Sequence, residues 1–258
     1  MDLEKLNKEI FACTACAFHS STLRKVPGHG NETAKVFVIA EAPGRAETLA
    51  GIPLCGAQEV LKSQCFTCVS MDACWSKKTN DTPEKCLYYV EARGSVLEER
   101  KEKLRTCFGV NSLPENDTYF TGKSGDLIDR MLYKMKVDRD DMFFSNVCLC
   151  RPKDNKTPTI GEGRLCGERF LKRRIEIVKP RVIIALGNVA LTFLVNDGHK
   201  ITAARGQVLE TCFEPKTKVV PTWHPSYLIR NGFNADLRYQ FMEDWKLALD
   251  VAGVEHEE

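Results

Sequence analysis

Four of the twelve cysteines in this chain stand in two pairs whose spacing is typical of metal ligation. Cys13-x2-Cys16 closes an N-terminal segment, and Cys150 and Cys166 enclose a polar, proline-containing loop. Thiolates at fixed spacing bind soft metals and iron–sulfur clusters. Four thiolates can hold zinc or a [4Fe–4S] cluster, and spacing alone does not decide between them. The alternative is a redox Cys-x2-Cys pair with two unrelated thiols.

Three polar residues with chemical capability sit in or directly after apolar runs. Glu41 follows such a run, ahead of a Pro-Gly turn and Glu47, and a carboxylate there can orient water or stabilise positive charge. His224 also follows a strand pattern and can donate a hydrogen bond to a ligand carbonyl. Asn146 could read a base edge through its amide. The alternatives are a surface glutamate, a core or capping histidine and a turn-forming asparagine.

Short apolar runs alternate with amphipathic segments along most of the chain. Strands are predicted at 34–44, 141–150, 180–187, 206–212 and 218–226, and helices at 3–13, 124–135, 159–178, 188–195 and 235–252. This alternation predicts an α/β fold with a mostly parallel sheet. Ligand sites in such folds gather at the carboxyl ends of the strands. The polar residues named above would therefore lie at one edge of the sheet.

Composition is ordinary for a soluble globular protein, with 43% hydrophobic and 28% charged residues and a net charge of +2. There is no apolar run long enough to cross a bilayer and no apolar signal core at the N-terminus. We therefore expect a cytoplasmic protein without membrane contact. Ten Lys/Arg against four Asp/Glu between residues 151 and 181 form a basic stripe, which fits either nucleic-acid contact or a solvated helix face.

The segment 52–118 breaks the alternation and holds six cysteines. We interpret it as an insertion within a single domain spanning 1–258. The segment has nine basic and ten acidic residues and few apolar runs, so it would fold poorly alone. A bound metal could stabilise it. The candidate ligands of this second metal, iron–sulfur or zinc, are Cys65, Cys68, Cys74 and Cys86. The alternative is a set of buried or idle thiols.

Taken in order, eight segments resemble the family 4 uracil-DNA glycosylases of the uracil-DNA glycosylase superfamily. The segments cover nearly the whole chain outside the insertion, and they are CTAC (13–16), VPGHG (26–30), EAPGRAE (41–47), FTGKSGDLIDRML (120–132), NVCLCRP (146–152) with Cys166, KPRVIIALGNVA (179–190), RGQV (205–208) and HPSYLIRN (224–231). The resemblance implies a three-layer αβα fold around a short, mostly parallel sheet. It also implies that Cys13, Cys16, Cys150 and Cys166 ligate a structural [4Fe–4S] cluster.

The resemblance further assigns roles in a base pocket. Glu41 lies in the water-activating motif, and His224 would hydrogen-bond O2 of the leaving base. The base-binding residues would be Asn146, Phe120, Ala42 and Gly44, with Phe120 preferred over Leu54 as the stacking residue. The DNA-binding residues would be Ser226, Arg230, Lys123 and Arg151.

The implied activity is that of a monofunctional DNA glycosylase acting in base excision. It would flip a pyrimidine out of the helix, hydrolyse its N-glycosidic bond and leave an abasic site. Uracil is the first candidate base; a bulky modified cytosine, as in anti-phage defence, is the second, because the insertion would border the pocket. A non-catalytic DNA-binding protein is the third hypothesis. DNA is the expected partner. We expect a monomeric protein that is associated with the nucleoid through DNA.

Overall fold

A six-stranded sheet forms the centre of the computed structural model, which describes residues 2–22, 24–55, 123–195, 198–232 and 234–257. The strands are β1 (His29–Gly30), β2 (Val36–Ala40), β3 (Phe143–Asn146), β4 (Val182–Leu186), β5 (Leu209–Glu210) and β6 (Lys218–Thr222). Their order across the sheet is β1-β3-β2-β4-β6-β5. The four inner strands are parallel, and the two short outer strands are antiparallel to their neighbours. The mostly parallel sheet predicted from the sequence is confirmed.

Helices cover both faces of this sheet. They are α1 (Leu3–Ala12), α2 (Phe18–Ser21), α3 (Arg45–Ala50), α4 (Lys123–Lys134), α5 (Ile160–Cys166), α6 (Lys172–Val178), α7 (Gly187–Val195), α8 (Ile201–Ala204), α9 (Pro225–Arg230) and α10 (Ala235–Ala252). A π-helical turn, Gly167–Leu171, joins α5 to α6, so the helix predicted at 159–178 is nearly continuous. In the described part of the chain, no helix has the length and apolarity needed to span a membrane.

Alternate residues of the inner strands supply two separate cores, as a strand period of two requires. In β2, Val36 and Val38 face the core that also contains α4 and α10, whereas Phe37 and Ile39 face the core that contains α1, α6 and α7. All five β2 residues are buried, because helices cover both sides. The protein is therefore a three-layer αβα sandwich, as expected.

Helix α10 fixes the end of β6 through buried polar contacts. Asp244 is 1% exposed, and its carboxylate accepts hydrogen bonds from Thr222 Oγ1 at 2.7 Å and from Arg205 Nε at 3.0 Å. Arg205 also donates to Asp244 through Nη2. In the next residue of the same segment, Trp223 Nε1 donates to Gln240 at 3.1 Å. These contacts hold the backbone that leads into His224.

Substitution of Asp244 tests this anchor. Asp244→Asn should lower the free energy of unfolding by about 3–5 kcal/mol, because it leaves the Arg205 guanidinium without its counter-charge. Glu243→Gln is the matched control: Glu243 pairs with Lys246 at the surface, at 3.3 Å, and its loss should change stability by no more than about 0.5 kcal/mol. Chemical denaturation measures both, and equal effects for the two variants would contradict the anchor.

Candidate active site

The carboxyl ends of the parallel strands open into a cleft of about 910 Å³. Its walls come from the turn after β2, the start of α4, the loop after Cys150, the start of α7 and the β6–α9 junction. The predicted site residues at its lining are Glu41, Ala42, Gly44, His224, Ser226 and Arg230. The structure thus brings together residues that are up to 189 positions apart in sequence, from 41 to 230.

Glu41 is the first residue after β2 and is partly buried at the cleft. Burial raises the pKa of its carboxyl group above the usual value, while a hydrogen bond from Thr157 and the positive charge of Arg230 act in the opposite direction. Burial makes the carboxylate a stronger base, and the two opposing contacts favour its ionised form. Such a carboxylate can orient a water molecule or stabilise positive charge that develops beside it.

His224 is the N-cap of α9, and its Nδ1 atom accepts the backbone N–H of Ser226 at 3.2 Å. Because that N–H can only donate, the ring proton of neutral His224 must lie on Nε2. Ser226 Oγ lies 2.8 Å from the same Nδ1, and Arg230 Nη1 donates to Ser226 Oγ at 3.2 Å. Burial, and secondly Arg230, lower the pKa of His224 to about 4. His224 is thus a neutral hydrogen-bond donor at physiological pH.

Asn146, the last residue of β3, is fully buried and contacts Glu47 at the cleft wall. Its Nδ2 atom donates to Glu47 Oε1 at 3.1 Å, whereas its Oδ1 atom has no hydrogen-bond partner among the described residues. A carboxylate accepts hydrogen bonds and does not donate them, so this contact fixes which way the amide points. It leaves one buried acceptor, Oδ1, unsatisfied by the described residues, which is uncommon for a buried polar atom.

Glu47 also holds two backbone segments of the cleft. Its Oε1 atom accepts the N–H of Leu54 at 2.8 Å, and its Oε2 atom accepts the N–H of Gly44. Burial raises the pKa of Glu47, although the hydrogen bonds from Gly44, Leu54 and Asn146 favour its charged form. Leu54 is buried, lines the cleft and has a φ of 50°, in the left-handed region. One carboxylate therefore connects the turn after β2, the segment after α3 and the end of β3.

Positively charged side chains gather along the cleft. Arg45, Lys156 and Arg230 line it, and Arg151 lies close enough to Arg45 for their charges to interact. Burial and this neighbouring charge lower the pKa of Arg151. Lys123 is the first residue of α4, but its side chain lies outside the described part of the structure. The arrangement gives the mouth of the cleft a positive potential that suits a phosphate backbone.

The four cysteines of the two predicted pairs are neighbours in space. Cys150 and Cys166 each lie within electrostatic range of Cys13 and Cys16. Burial and these neighbouring thiols raise the pKa of Cys150 and of Cys166 to about 12. Among the described residues, no three Cys, His, Asp or Glu side chains converge on one point closely enough to hold a single ion. The donor set, four thiols free of disulfides in one region, fits an iron–sulfur group chemically.

Comparison with known proteins decides the family. The model of the uracil DNA glycosylase superfamily matches residues 109–246. The type-4 uracil-DNA glycosylase of Thermotoga maritima is 30% identical over 244 residues, which is 94% of this chain and 90% of that protein. That of Archaeoglobus fulgidus is 26% identical over 256 residues, or 97% and 94% of the two chains. The chain belongs to the type-4 branch of the uracil-DNA glycosylase superfamily.

The resemblance noted in the sequence implies an iron–sulfur cluster, and the four-thiol donor set is compatible with that expectation. In this member, a fifth cysteine, Cys148, is buried beside three of these four. Its thiol lies within electrostatic range of Cys16, Cys150 and Cys166, and burial raises its pKa strongly.

Several expected features of this type-4 member lie outside the described residues. These are the predicted stacking residue Phe120, the candidate second metal ligands Cys65, Cys68, Cys74 and Cys86, and nearly all of the 52–118 insertion. All of them remain predictions. Leu54, which the sequence prediction set aside in favour of Phe120, is described and lines the cleft.

Sequence reasoning also missed functional candidates in this family member. Glu47 was noticed only as the end of a motif, and its contact with Asn146, 99 positions away, has no local signal. Thr157, Arg45 and Lys156 were not singled out, although their place in a polar loop or directly after the Pro-Gly turn could have marked them. Tyr227, whose ring stacks on Trp223 with centroids 4.9 Å apart, also lines the cleft.

Substitution of Glu47 by glutamine tests the three-segment anchor. Glu47→Gln turns one acceptor oxygen into a donor facing another donor, and we expect it to lower the free energy of unfolding by about 1–3 kcal/mol. Glu32→Gln, at an exposed position, is the control and should leave stability within about 0.5 kcal/mol. Both are measured by denaturant unfolding. Glu47 would not be an anchor if its variant were as stable as the control.

The protonation of His224 provides a second test. The NMR signal that disappears in His224→Gln should titrate with a midpoint of about 4 instead of the ordinary 6.5. The unfolded chain then binds this proton more tightly than the folded chain. This residue's contribution to stability is therefore complete above about pH 6.5 and is lost as the pH falls towards about 4. A midpoint near 6.5 would contradict the buried, neutral imidazole.

Proposed function

We propose that this chain is a monofunctional DNA glycosylase that removes uracil from DNA by hydrolysis and leaves an abasic site. The single observation that carries the proposal is the convergence of Glu41, His224 and Glu47 on one basic cleft, with Asn146 hydrogen-bonded to Glu47 behind the lining. The type-4 relatives are named for action on uracil. Their names favour uracil over a modified cytosine, and catalysis over DNA binding alone.

Recognition of the base would rest on Asn146. A uracil flipped into the cleft presents N3–H as a donor and O4 as an acceptor. The unpartnered Oδ1 of Asn146 suits N3–H, and its Nδ2, which already donates one hydrogen to Glu47, has a second hydrogen for O4. Cytosine lacks a donor at N3, so it would leave Oδ1 buried and unsatisfied. Glu47 acts here as a positioning residue, because it reaches the base only through Asn146.

Bond cleavage would be divided between Glu41 and His224. As the glycosidic bond breaks, positive charge develops on the sugar and negative charge on the base. Glu41 would stabilise the sugar cation and orient the attacking water. The Nε2–H of neutral His224 would donate to O2 of the leaving base. Arg230 and Ser226, which hold the ring from its Nδ1 side, would also contact the DNA backbone.

The cofactor would be a [4Fe–4S] cluster held by Cys13, Cys16, Cys150 and Cys166. Its role would be structural: it would fix the segment that follows β3 relative to the N-terminal helix, and so the loop that carries Arg151 and Thr157. We also propose that 52–118 is an insertion in a monomeric, single-domain protein. Its flanks support this, because a β carbon on Gly125 would lie 2.2 Å from the carbonyl oxygen of Cys55. The described residues before and after the undescribed stretch 56–122 therefore lie in contact.

The function is tested with oligonucleotides carrying uracil, a thymine mismatch, hydroxymethylcytosine or glucosylated hydroxymethylcytosine, each followed by hot alkali to cut abasic sites. We expect cleavage at uracil. Glu41→Gln should slow it by about 10²–10⁴-fold and His224→Ala by about 10²–10³-fold. Glu32→Gln serves as a control for handling and should match the wild type.

Each other outcome has a distinct meaning. Cleavage only at a bulky cytosine would replace uracil as the substrate and make the insertion part of the pocket. A protein with an intact cluster that cuts none of the four bases would contradict the glycosylase proposal. Activity that survives both active-site substitutions would show that Glu41 and His224 are not catalytic residues.

A further inference from the structure

Two positive side chains are buried on the side of the sheet that carries the cysteines. Arg174 is 0% exposed and Lys25 is 1% exposed. A buried charge costs several kcal/mol unless an opposite charge or a full set of hydrogen bonds compensates for it. Proteins therefore place such groups beside carboxylates, and the partners of these two residues are informative.

Arg174 lies on α6, and all of its partners among the described residues are neutral. Its Nη1 donates to Ser145 Oγ at 3.3 Å and its Nη2 to Asn7 Oδ1 at 2.8 Å. Its Nε–H has no acceptor in the part of the chain that the structure describes. Within the same residues, no carboxylate lies within 4.0 Å of the guanidinium, whereas the neighbouring Arg173 pairs with Glu9 at 2.6 Å.

Lys25 also has only neutral partners among the described residues. Its Nζ donates to the carbonyl oxygens of Phe11, at 2.7 Å, and of Cys13. These carbonyls belong to the end of α1 and to the residue that follows it. The negative end of the helix dipole compensates for part of a full charge, about half an elementary charge at most. Hydrogen bonds to these carbonyls need only a donor, so the helix end does not account for the full positive charge of Lys25.

Both cations lie beside the cysteine set. Arg174 is within electrostatic range of Cys166, and Lys25 is within range of Cys150. Four thiolates outweigh the positive charge of a [4Fe–4S] core, so a bound cluster carries net negative charge into this region. Its reduction potential depends on the charges and hydrogen bonds around it.

We propose that Arg174 and Lys25 are the buried counter-charges of the iron–sulfur cluster, one beside Cys166 and one beside Cys150, and that they set its retention and its reduction potential. This inference rests on the cluster named under Proposed function. It differs from a purely structural role, in which Arg174 ties α1 to β3 and Lys25 caps α1, because those hydrogen bonds do not require charge.

The test separates charge from hydrogen bonding in protein purified with its cluster. The variants are Arg174→Gln and Lys25→Gln, which remove charge, Arg174→Lys, which keeps it, and Arg173→Gln as the control from the adjacent surface ion pair. Iron and sulfide content, the rate at which a chelator bleaches the visible absorbance, and the midpoint potential by film voltammetry are measured for each. None of these readouts depends on glycosylase activity.

We expect both charge-removing variants to lose the cluster about tenfold faster or more. Their midpoint potentials should be more negative, because a nearby positive charge stabilises the reduced, more negative cluster. Arg174→Lys and Arg173→Gln should stay near the wild type. If Arg174→Gln does not fold, two readouts still test the proposal: the midpoint potential of the cluster in Lys25→Gln and the rate of cluster loss in Arg174→Lys.

Two results would overturn the inference. Equal rates of cluster loss in Arg174→Gln and Arg174→Lys would show that the guanidinium acts by shape and hydrogen bonding alone. If the reduction potential and the retention of the cluster are unchanged in the charge-removing variants, the two cations do not act as its counter-charges. Wild-type protein without iron and sulfide would instead remove the proposed cofactor itself, so the two failures are distinguishable.

Discussion

The cleft depends on one partly buried carboxylate in its wall. Glu47 receives hydrogen bonds from the backbone of Gly44 and Leu54 and from the amide of Asn146, and so joins three segments that the sheet alone would not hold together. Burial opposes its charge, and three donors favour it. A carboxylate is the one side chain of this size that accepts all three bonds without presenting a donor of its own. The orientation of the Asn146 amide, on which the proposed base recognition depends, follows from this constraint.

The parallel sheet explains why the remaining groups meet at this cleft. Strands β2, β3, β4 and β6 run in one direction, so the residues after each of them reach the same edge. Gly187, with a φ of 83°, turns the chain directly into α7, and a β carbon there would approach His224 to 3.2 Å. The close approach lets β6 deliver His224 into the cleft. Helix α10 supports the same strand from behind through Asp244 and Gln240.

Elements with a strong local pattern could be predicted from sequence, and contacts between distant segments could not. Helix α10 was predicted at its observed bounds because eighteen residues of helical pattern end at a glycine. Helix α9 was missed because six residues after a strand carry too little periodicity. The burial of Arg174 could not be predicted, because it lies in the basic run KRR (172–174) and the sequence does not show which of these residues is buried. In the structure Arg174 is buried and Arg173 pairs with Glu9 at the surface. The types and positions of Glu41 and His224 marked them as candidates, but the lowered pKa of His224 depends on burial and on Arg230, which the fold brings together.

The most direct measurement is a crystal structure of Glu41→Gln bound to DNA that contains uracil. We expect an extruded uracil in the cleft, with its N3–H donating to Asn146 Oδ1 and its O2 within hydrogen-bonding distance of His224 Nε2, while Glu47 still accepts from Asn146. A uracil that remains stacked in the duplex, or one bound in the cleft without contact to Asn146 and His224, would contradict it.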